Sequence, residues 1–400
     1  MALLPVSEAL TRILGGVKPL GAEKVSLADA CGRVLASTVK AKRAQPPFAA
    51  SAMDGYALRN ADVASVPARL NLVGISAAGH GFRGRVTVGT AVRILTGAPL
   101  PAGADTVVIQ ENTVRDGDQL LVNETAAPGK NIRRAGLDFR VGDVLVSAGQ
   151  TLTPRDIGLL AAGNAAAVAV RRKPKIVLFT TGDELVLPGE RPRKDQIVSS
   201  NSHALAAMSQ QFGADVVNLG IVKDSLKATV AAVKKGLGAD VLLTTGGASV
   251  GDHDYVQAAF KACGVKIGFW KIALRPGKPF MYGRKGRTHV MGLPGNPVSA
   301  LVTARIFLKP LLDAFAGLPV EERQYMAVLN GDLPVNDNRQ DYLRATLDFQ
   351  PDGRRIVTPF GLQDSSMQRT LQSSQALILR EPFAPAVASG ALVSIILLDF

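Results

Sequence analysis

Between residues 175 and 308 short apolar runs alternate with helix-like ones, and this alternation constrains the fold more than any other feature of the chain. IVLFTTGDEL (176–185), DVVNLGIV (215–222), DVLLTTGGASVG (240–251) and the start of THVMGLPGNPVSALVTARIFL (288–308) read as strands, three of them running into polar, glycine-bearing loops. SNSHALAAMSQQFGA (200–214), SLKATVAAVKKGLG (225–238) and the end of 288–308 read as helices. Strands alternating with helices give a doubly wound parallel sheet covered on both faces. Ligands of such sheets bind outside the carboxyl ends of the strands, so the three polar loops are expected to cluster on one edge.

The flanking sequence has a different texture. Residues 1–45 begin with a helix and continue as loop. From about 60 to 150, short apolar stretches alternate with Gly, Pro, Asp and Asn, and Asp116-Gly117 and Pro128-Gly129 are turn signals. A second helix is expected over 154–168, with Pro154 in its first turn. Residues 323–400 return to short strands. The expected fold is multidomain α/β and β: a helical/β N-terminal domain (1–45 and 146–172) carrying a β insert (46–145), a central α/β domain (173–320) and a small C-terminal β domain (321–400). No internal repeat of useful length is visible.

The 400 residues carry a net charge of +13, with +7 over 1–172, +9 over 173–320 and −3 over 321–400. A basic body attracts anions such as phosphates and oxyanions. Aromatic residues are only 5% of the chain, which argues against the stacking platforms of single-strand nucleic-acid binders, and no nucleic-acid partner is expected. Cys31 and Cys263 alone cannot build a disulfide framework, which fits a reducing cytoplasm. No stretch of 18 apolar residues occurs, so no membrane association is expected.

Five segments carry chemistry. In Thr181-Gly182-Asp183-Glu184, small residues let backbone N–H groups approach an anion, and the acids can hold a divalent cation through oxygen. In 244–255, Gly246, Gly247 and Gly251 allow close approach, Ser249 can donate to a phosphate, and Asp252 and Asp254 can share a metal. Neither Walker nor Rossmann spacing is present. In 292–299, Pro294 and Pro297 stiffen a loop bearing Asn296, and a helix over 298–308 offers its N-terminus to an anion. In 271–279, Lys271, Arg275 and Lys278 supply cations, with Lys271 and Arg275 on the same side of an extended chain. In 46–57, Asp54 stands alone before a glycine in a rigid loop.

Together, Ser51-Ala52-Met53-Asp54-Gly55-Tyr56, Thr181-Gly182-Asp183-Glu184-Leu185, 246–252, Arg275-Pro276-Gly277-Lys278-Pro279 and 292–297 occur in the order seen in the molybdopterin molybdenumtransferases. This is the MoeA family, which includes the large domain of gephyrin, and the resemblance covers nearly the whole chain. It implies insertion of molybdenum from molybdate into adenylylated molybdopterin, release of AMP, dependence on Mg²⁺, and a homodimer whose cleft joins the α/β domain of one subunit to the β insert of the other. Matched motif by motif, Asp54 falls on an essential acid, Thr96 on a Thr-Gly loop, and Asp138 on the acid after an Arg pair. Glu184, Asp224 and Asp254 fall on cleft acids, Lys271 and Arg275 on cleft cations, and Pro294 and Pro297 on the rigid loop. Asp54, Glu184 and Asp254 are the implied metal or positioning residues; Lys271, Arg275 and Lys278 are expected to hold the oxyanions. Arg275 stands where Lys is common, and Ala248 where Val is frequent. The implied partners are an upstream adenylyltransferase and molybdoenzyme acceptors. Two alternatives are a molybdopterin adenylyltransferase, against which the long N- and C-terminal segments argue, and a molybdopterin-binding scaffold.

Overall fold

A computed structural model describes residues 3–247 and 255–400. The chain divides into two compact units, Lys24–Val170 and the remainder, Met1–Glu23 with Arg171–Phe400.

Lys24–Val170 is built around a six-stranded sheet in the order Thr106–Ile109, Gly55–Leu58, Thr90–Ile94, Ala68–Ser76, Gln119–Val122, Thr113–Asp116. Only the Ala68–Ser76/Thr90–Ile94 pair is parallel. Its core holds Tyr56, Leu58, Val63, Leu70, Val108, Leu120 and Val122. The Asp116-Gly117 signal makes the expected hairpin: Asp116 pairs with Gln119, and Gly117 takes a φ of +58°, which glycine adopts at no steric cost. The second helix is shorter than expected. It starts at Pro154, capped reciprocally by Thr153 and Asp156, but ends at Ala162 rather than 168. Asn164 turns the chain at φ +65°, and Ala167–Arg171 is a strand with every second residue buried. The alanine-rich sequence suits either state, and packing of Val168 and Val170 against Leu35, Leu152 and Leu160 selects the strand.

The other unit contains the expected α/β sheet, in the order Asp215–Val222, Lys175–Thr181, Val241–Thr245, Thr288–Leu293, Met281–Lys285, Lys266–Trp270. The first four strands are parallel, and the last two add an antiparallel edge through a turn at Gly286-Arg287. One core includes Leu178, Leu243, Met291 and Phe307; a second holds Phe179, Leu242, Phe260 and Val290. Truncating a fully buried Leu such as Leu242 to Ala costs about 2–5 kcal/mol in such interiors. The helix after 296 starts at Pro297, passes through a wide π turn at Ala304–Leu308 and runs on to Ala316, longer than the sequence suggests. The N-terminal helix Val6–Leu14 inserts Val6, Ala9 and Ile13 into the first core.

Five C-terminal strands close on themselves in the order Gln340–Phe349, Arg355–Pro359, Tyr325–Leu329, Leu392–Leu397, Ala376–Arg380 and back to Gln340–Phe349, forming a small barrel. The two-residue strand Leu274–Arg275 pairs with it in parallel, matching Leu274 to Gln340 and Arg275 to Asp341. Among the described residues, no helix is long and apolar enough to cross a membrane.

Candidate active site

The strands Lys175–Thr181, Val241–Thr245 and Thr288–Leu293 end level with one another: Thr180 is opposite Thr245, and Thr245 is opposite Leu293. Their following loops therefore meet, as the alternation of elements requires. They open onto a cavity of about 650 Å³. Thr181, Gly182, Glu184, Gly246 and Gly247 line it from the first two loops; Pro294 and Asn296 line it from the third. Asp224, Arg275 and Lys278 complete the sequence-expected residues on its wall.

The floor is a backbone cradle. Gly246 has a φ of +83°, and a Cβ there would stand 2.5 Å from the Thr181 carbonyl oxygen. A Cβ on Gly295 would lie 3.7 Å from the Gly246 Cα. Side chains lock this approach. Thr245 Oγ1 donates to the Pro294 carbonyl at 2.9 Å, and Asn201 Nδ2 donates to the Gly295 carbonyl at 2.6 Å. Asn296 Nδ2 donates to Ser365 Oγ at 2.6 Å, tying the third loop to the barrel. The Thr181 hydroxyl is buried and has no partner among the described residues, so it can donate to a bound group. The helix beginning at Pro297 offers less than expected, because Pro297 has no N–H and the Val298 N–H already donates to the Ser365 carbonyl at 3.0 Å.

Asp183, Glu184 and Asp224 gather around the first loop. Asp183 and Asp224 cap each other: the Asp183 N–H donates to Asp224 Oδ2 at 3.2 Å, and the Asp224 N–H to Asp183 Oδ1 at 3.1 Å. The Glu184 carboxylate lies over Gly182, where a Cβ would come within 2.5 Å of Oε2. Glu184 and Asp224 both reach the cavity wall, but among the described residues no three metal-ligating side chains gather. Ser249 and Asp254 lie outside the described residues.

The cations differ most from expectation. Lys271 does not line the cavity: its φ is +69°, the strand before it ends at Trp270, and its ammonium stands 4.8 Å from the Trp270 ring centroid. The alternation that put it beside Arg275 is therefore broken. Arg275 reaches the wall but is spoken for. Its guanidinium donates to Asp337 Oδ2 at 3.1 Å, to Asn336 Oδ1 at 3.0 Å and to Asp341. Hydrogen bonding to Asp341 raises the Arg275 pKa further. Lys278 lines the cavity and makes no ion pair among the described residues.

Sequence reasoning missed Arg339, Gln363, Asp364 and Ser365, which line the cavity from the barrel side. Arg344, only 1% exposed, braces this loop by donating to the Asp364 carbonyl at 2.7 Å and to Gln363 Oε1 at 3.1 Å. The polar run Gln363–Ser366 after Gly361 was the available signal. Pro297 starts its helix behind the loop and is not on the wall.

In the unit Lys24–Val170, Asp54 and Thr96 come together. Both the Thr96 N–H and its hydroxyl donate to Asp54 Oδ1, each at 2.7 Å. The backbone N–H first, then the hydroxyl, hold this exposed carboxyl below the usual range. Asp138 is exposed, with its N–H donating to the Gln45 carbonyl at 2.9 Å.

Glycine-bearing loops at the carboxyl ends of a parallel sheet define a ligand-binding α/β protein, and comparison with known proteins gives the family. Residues 4–163 match the MoeA N-terminal region (domain I and II), 177–314 a probable molybdopterin binding domain, and 326–398 the MoeA C-terminal region (domain IV). The molybdopterin molybdenumtransferase of Haemophilus influenzae is 33% identical over 98% of both chains. That of Bacillus subtilis is 32% identical over 99% of this chain and 94% of its own. The crystal structure of a molybdopterin biosynthesis MoeA protein from Pyrococcus horikoshii superposes with a TM-score of 0.83 at 30% identity, covering 99% of this chain and 100% of that one. The chain belongs to the MoeA family of molybdopterin molybdenumtransferases, transferases of molybdenum cofactor biosynthesis.

Proposed function

We propose that this chain transfers molybdenum from molybdate to the dithiolene of adenylylated molybdopterin, with release of AMP. The observation that carries this reading is the cavity itself: a glycine cradle, Thr181 with its hydroxyl unpartnered among the described residues, Lys278, Glu184 and Asp224 all line it. Molybdate is a tetrahedral dianion, and the second substrate carries a pyrophosphate. Both need N–H donors and a cation held close, which Gly246, Gly247, Thr181 and Lys278 can offer.

The resemblance implies Mg²⁺. Glu184 and Asp224 suit it, because this hard cation takes one or two carboxylates and completes its shell with water and substrate phosphate oxygens. When bound, it would neutralise charge on the phosphoanhydride oxygens. Glu184 and Asp224 orient the anhydride, Lys278 holds the oxyanion, and Asn296 with Pro294 shapes the wall. Asp54, kept ionised by Thr96, is assigned the positioning of the reacting groups, together with Asp138 and Asp254. The active species is a homodimer working in the cytoplasm.

The test is a purified assay with adenylylated molybdopterin, molybdate and Mg²⁺, scoring AMP and the molybdenum-loaded product. Glu184→Gln and Lys278→Ala are expected to lose at least tenfold in rate while keeping the wild-type melting temperature. Wild-type rates in both variants would remove this cavity from the reaction.

A further inference from the structure

Two arginines, Arg275 and Arg339, line the cavity, yet neither brings free charge to it. One carboxylate, Asp337, stands between them. Its Oδ2 accepts from Arg275 Nη1 at 3.1 Å and from Arg339 Nη2 at 2.7 Å, while its Oδ1 accepts the Arg339 backbone N–H at 2.9 Å. The second nitrogen of the Arg275 fork is taken by Asp341, which is 2% exposed. Asp341 is fixed in place because it is the register partner of Arg275 across the strand that joins barrel and sheet. Two guanidinium groups and two carboxylates therefore cancel. Neither Asp337 nor Asp341 lines the cavity. Paired with the arginines and absent from the wall, the two carboxylates act on an anion in the cavity through the field.

From this we infer that Asp337 is a positioning and charge-attenuating residue that limits how tightly the cavity holds an oxyanion. Lys278 is left as the wall cation without an ion pair among the described residues, and the arginines shape the wall without adding net attraction. A wall carrying the full charge of both arginines would bind a dianion more tightly and let its products leave more slowly. The shared carboxylate also fixes both forks in one orientation, because a guanidinium held by two acceptors has little rotational freedom.

The inference rests on reading the cavity as an oxyanion site, and binding to the wild-type protein tests that reading separately. The experiment is calorimetric titration of the full-length chain with inorganic molybdate, at low and moderate salt. Asp337→Asn keeps the Oδ1 acceptor of the Arg339 N–H but removes the charge. It is expected to bind molybdate on the order of tenfold more tightly, with a steeper salt dependence. Asp337→Glu, which restores the charge, is expected to return to wild-type affinity. Arg339→Gln, which leaves Asp337 with one arginine fewer, is expected to weaken binding by a similar factor and serves where Asp337→Asn does not fold. Unchanged or weaker binding by a folded Asp337→Asn overturns the inference. So does wild-type affinity in Arg339→Gln.

Discussion

Gly246 and Thr181 approach so closely that a single added carbon would stand 2.5 Å from a carbonyl oxygen. The two residues follow the register pair Thr180 and Thr245 at the ends of adjacent parallel strands, and both line the cavity. Gly246→Ala adds that carbon and also places a side chain at φ +83°. The backbone term alone costs about 1–2 kcal/mol. The expected outcome is a folded protein with a lower melting temperature and no measurable molybdate binding. Wild-type binding in this variant would show that the strand ends are not the anion cradle.

Asp54 owes its lowered pKa to Thr96, first through the backbone N–H and then through the hydroxyl. Thr96→Val removes the hydroxyl and keeps the N–H. The Asp54 pKa then moves up toward the ordinary value. If the ionised form is the working form, the acid limb of the rate–pH profile moves up in the same direction, with the plateau rate preserved. Asp54→Asn is expected to abolish molybdenum insertion at every pH. An acid limb that stays put in Thr96→Val would separate Asp54 from the rate.

His289 is 1% exposed, accepts or donates a 2.9 Å hydrogen bond with the Tyr282 hydroxyl, and is pushed down to about 4 by burial. The unfolded chain takes up this proton near pH 6.5, and the folded chain does so only near 4. Between those values the unfolded state binds more protons, so stability falls as pH falls. The loss attributable to this group is at most about 3 kcal/mol. Urea unfolding from pH 7.5 to 4 compares the chain with His289→Gln, which cannot titrate. The variant is expected to lose less stability on acidification; parallel curves would contradict the assignment.

Arg344 is a buried guanidinium whose Nη2 has no partner among the described residues, and burial lowers its pKa. An apolar replacement removes the buried charge but leaves the Asp364 carbonyl and Gln363 Oε1 without their donors. Arg344→Met is expected to lose about 1–3 kcal/mol of stability and to remain folded at room temperature. It should nonetheless lose molybdate affinity several-fold, because the Asp364 carbonyl loses its anchor. Equal affinity would mean that the Gln363–Ser365 loop does not shape the site.

The parts of this site that were legible in the sequence are those set by local chemistry. The glycines of 182, 246 and 247 announce a close backbone approach, and strand–helix alternation puts their loops on one edge whatever the rest of the chain does. Arg275 was legible as a cation but not as a neutralised one, because its partners Asp337 and Asp341 arrive through the barrel register, more than 60 residues later. Lys271 misled because strand alternation assumes an extended chain, and a positive φ breaks it. The helix expected over 154–168 overran because Ala165–Val170 has no preference strong enough to resist the packing that makes it a strand. The barrel-side wall left only the polar run Gln363–Ser366 as a local signal, because closure of five strands is a non-local event.

The most direct measurement of the central claim is AMP release from adenylylated molybdopterin by the wild-type protein with Mg²⁺, followed before and after molybdate is added. Little AMP is expected before addition, and afterwards release that rises with molybdate and matches the molybdenum-loaded product one for one. AMP released at the same rate without molybdate, or none with it, would contradict molybdate-coupled transfer by this chain.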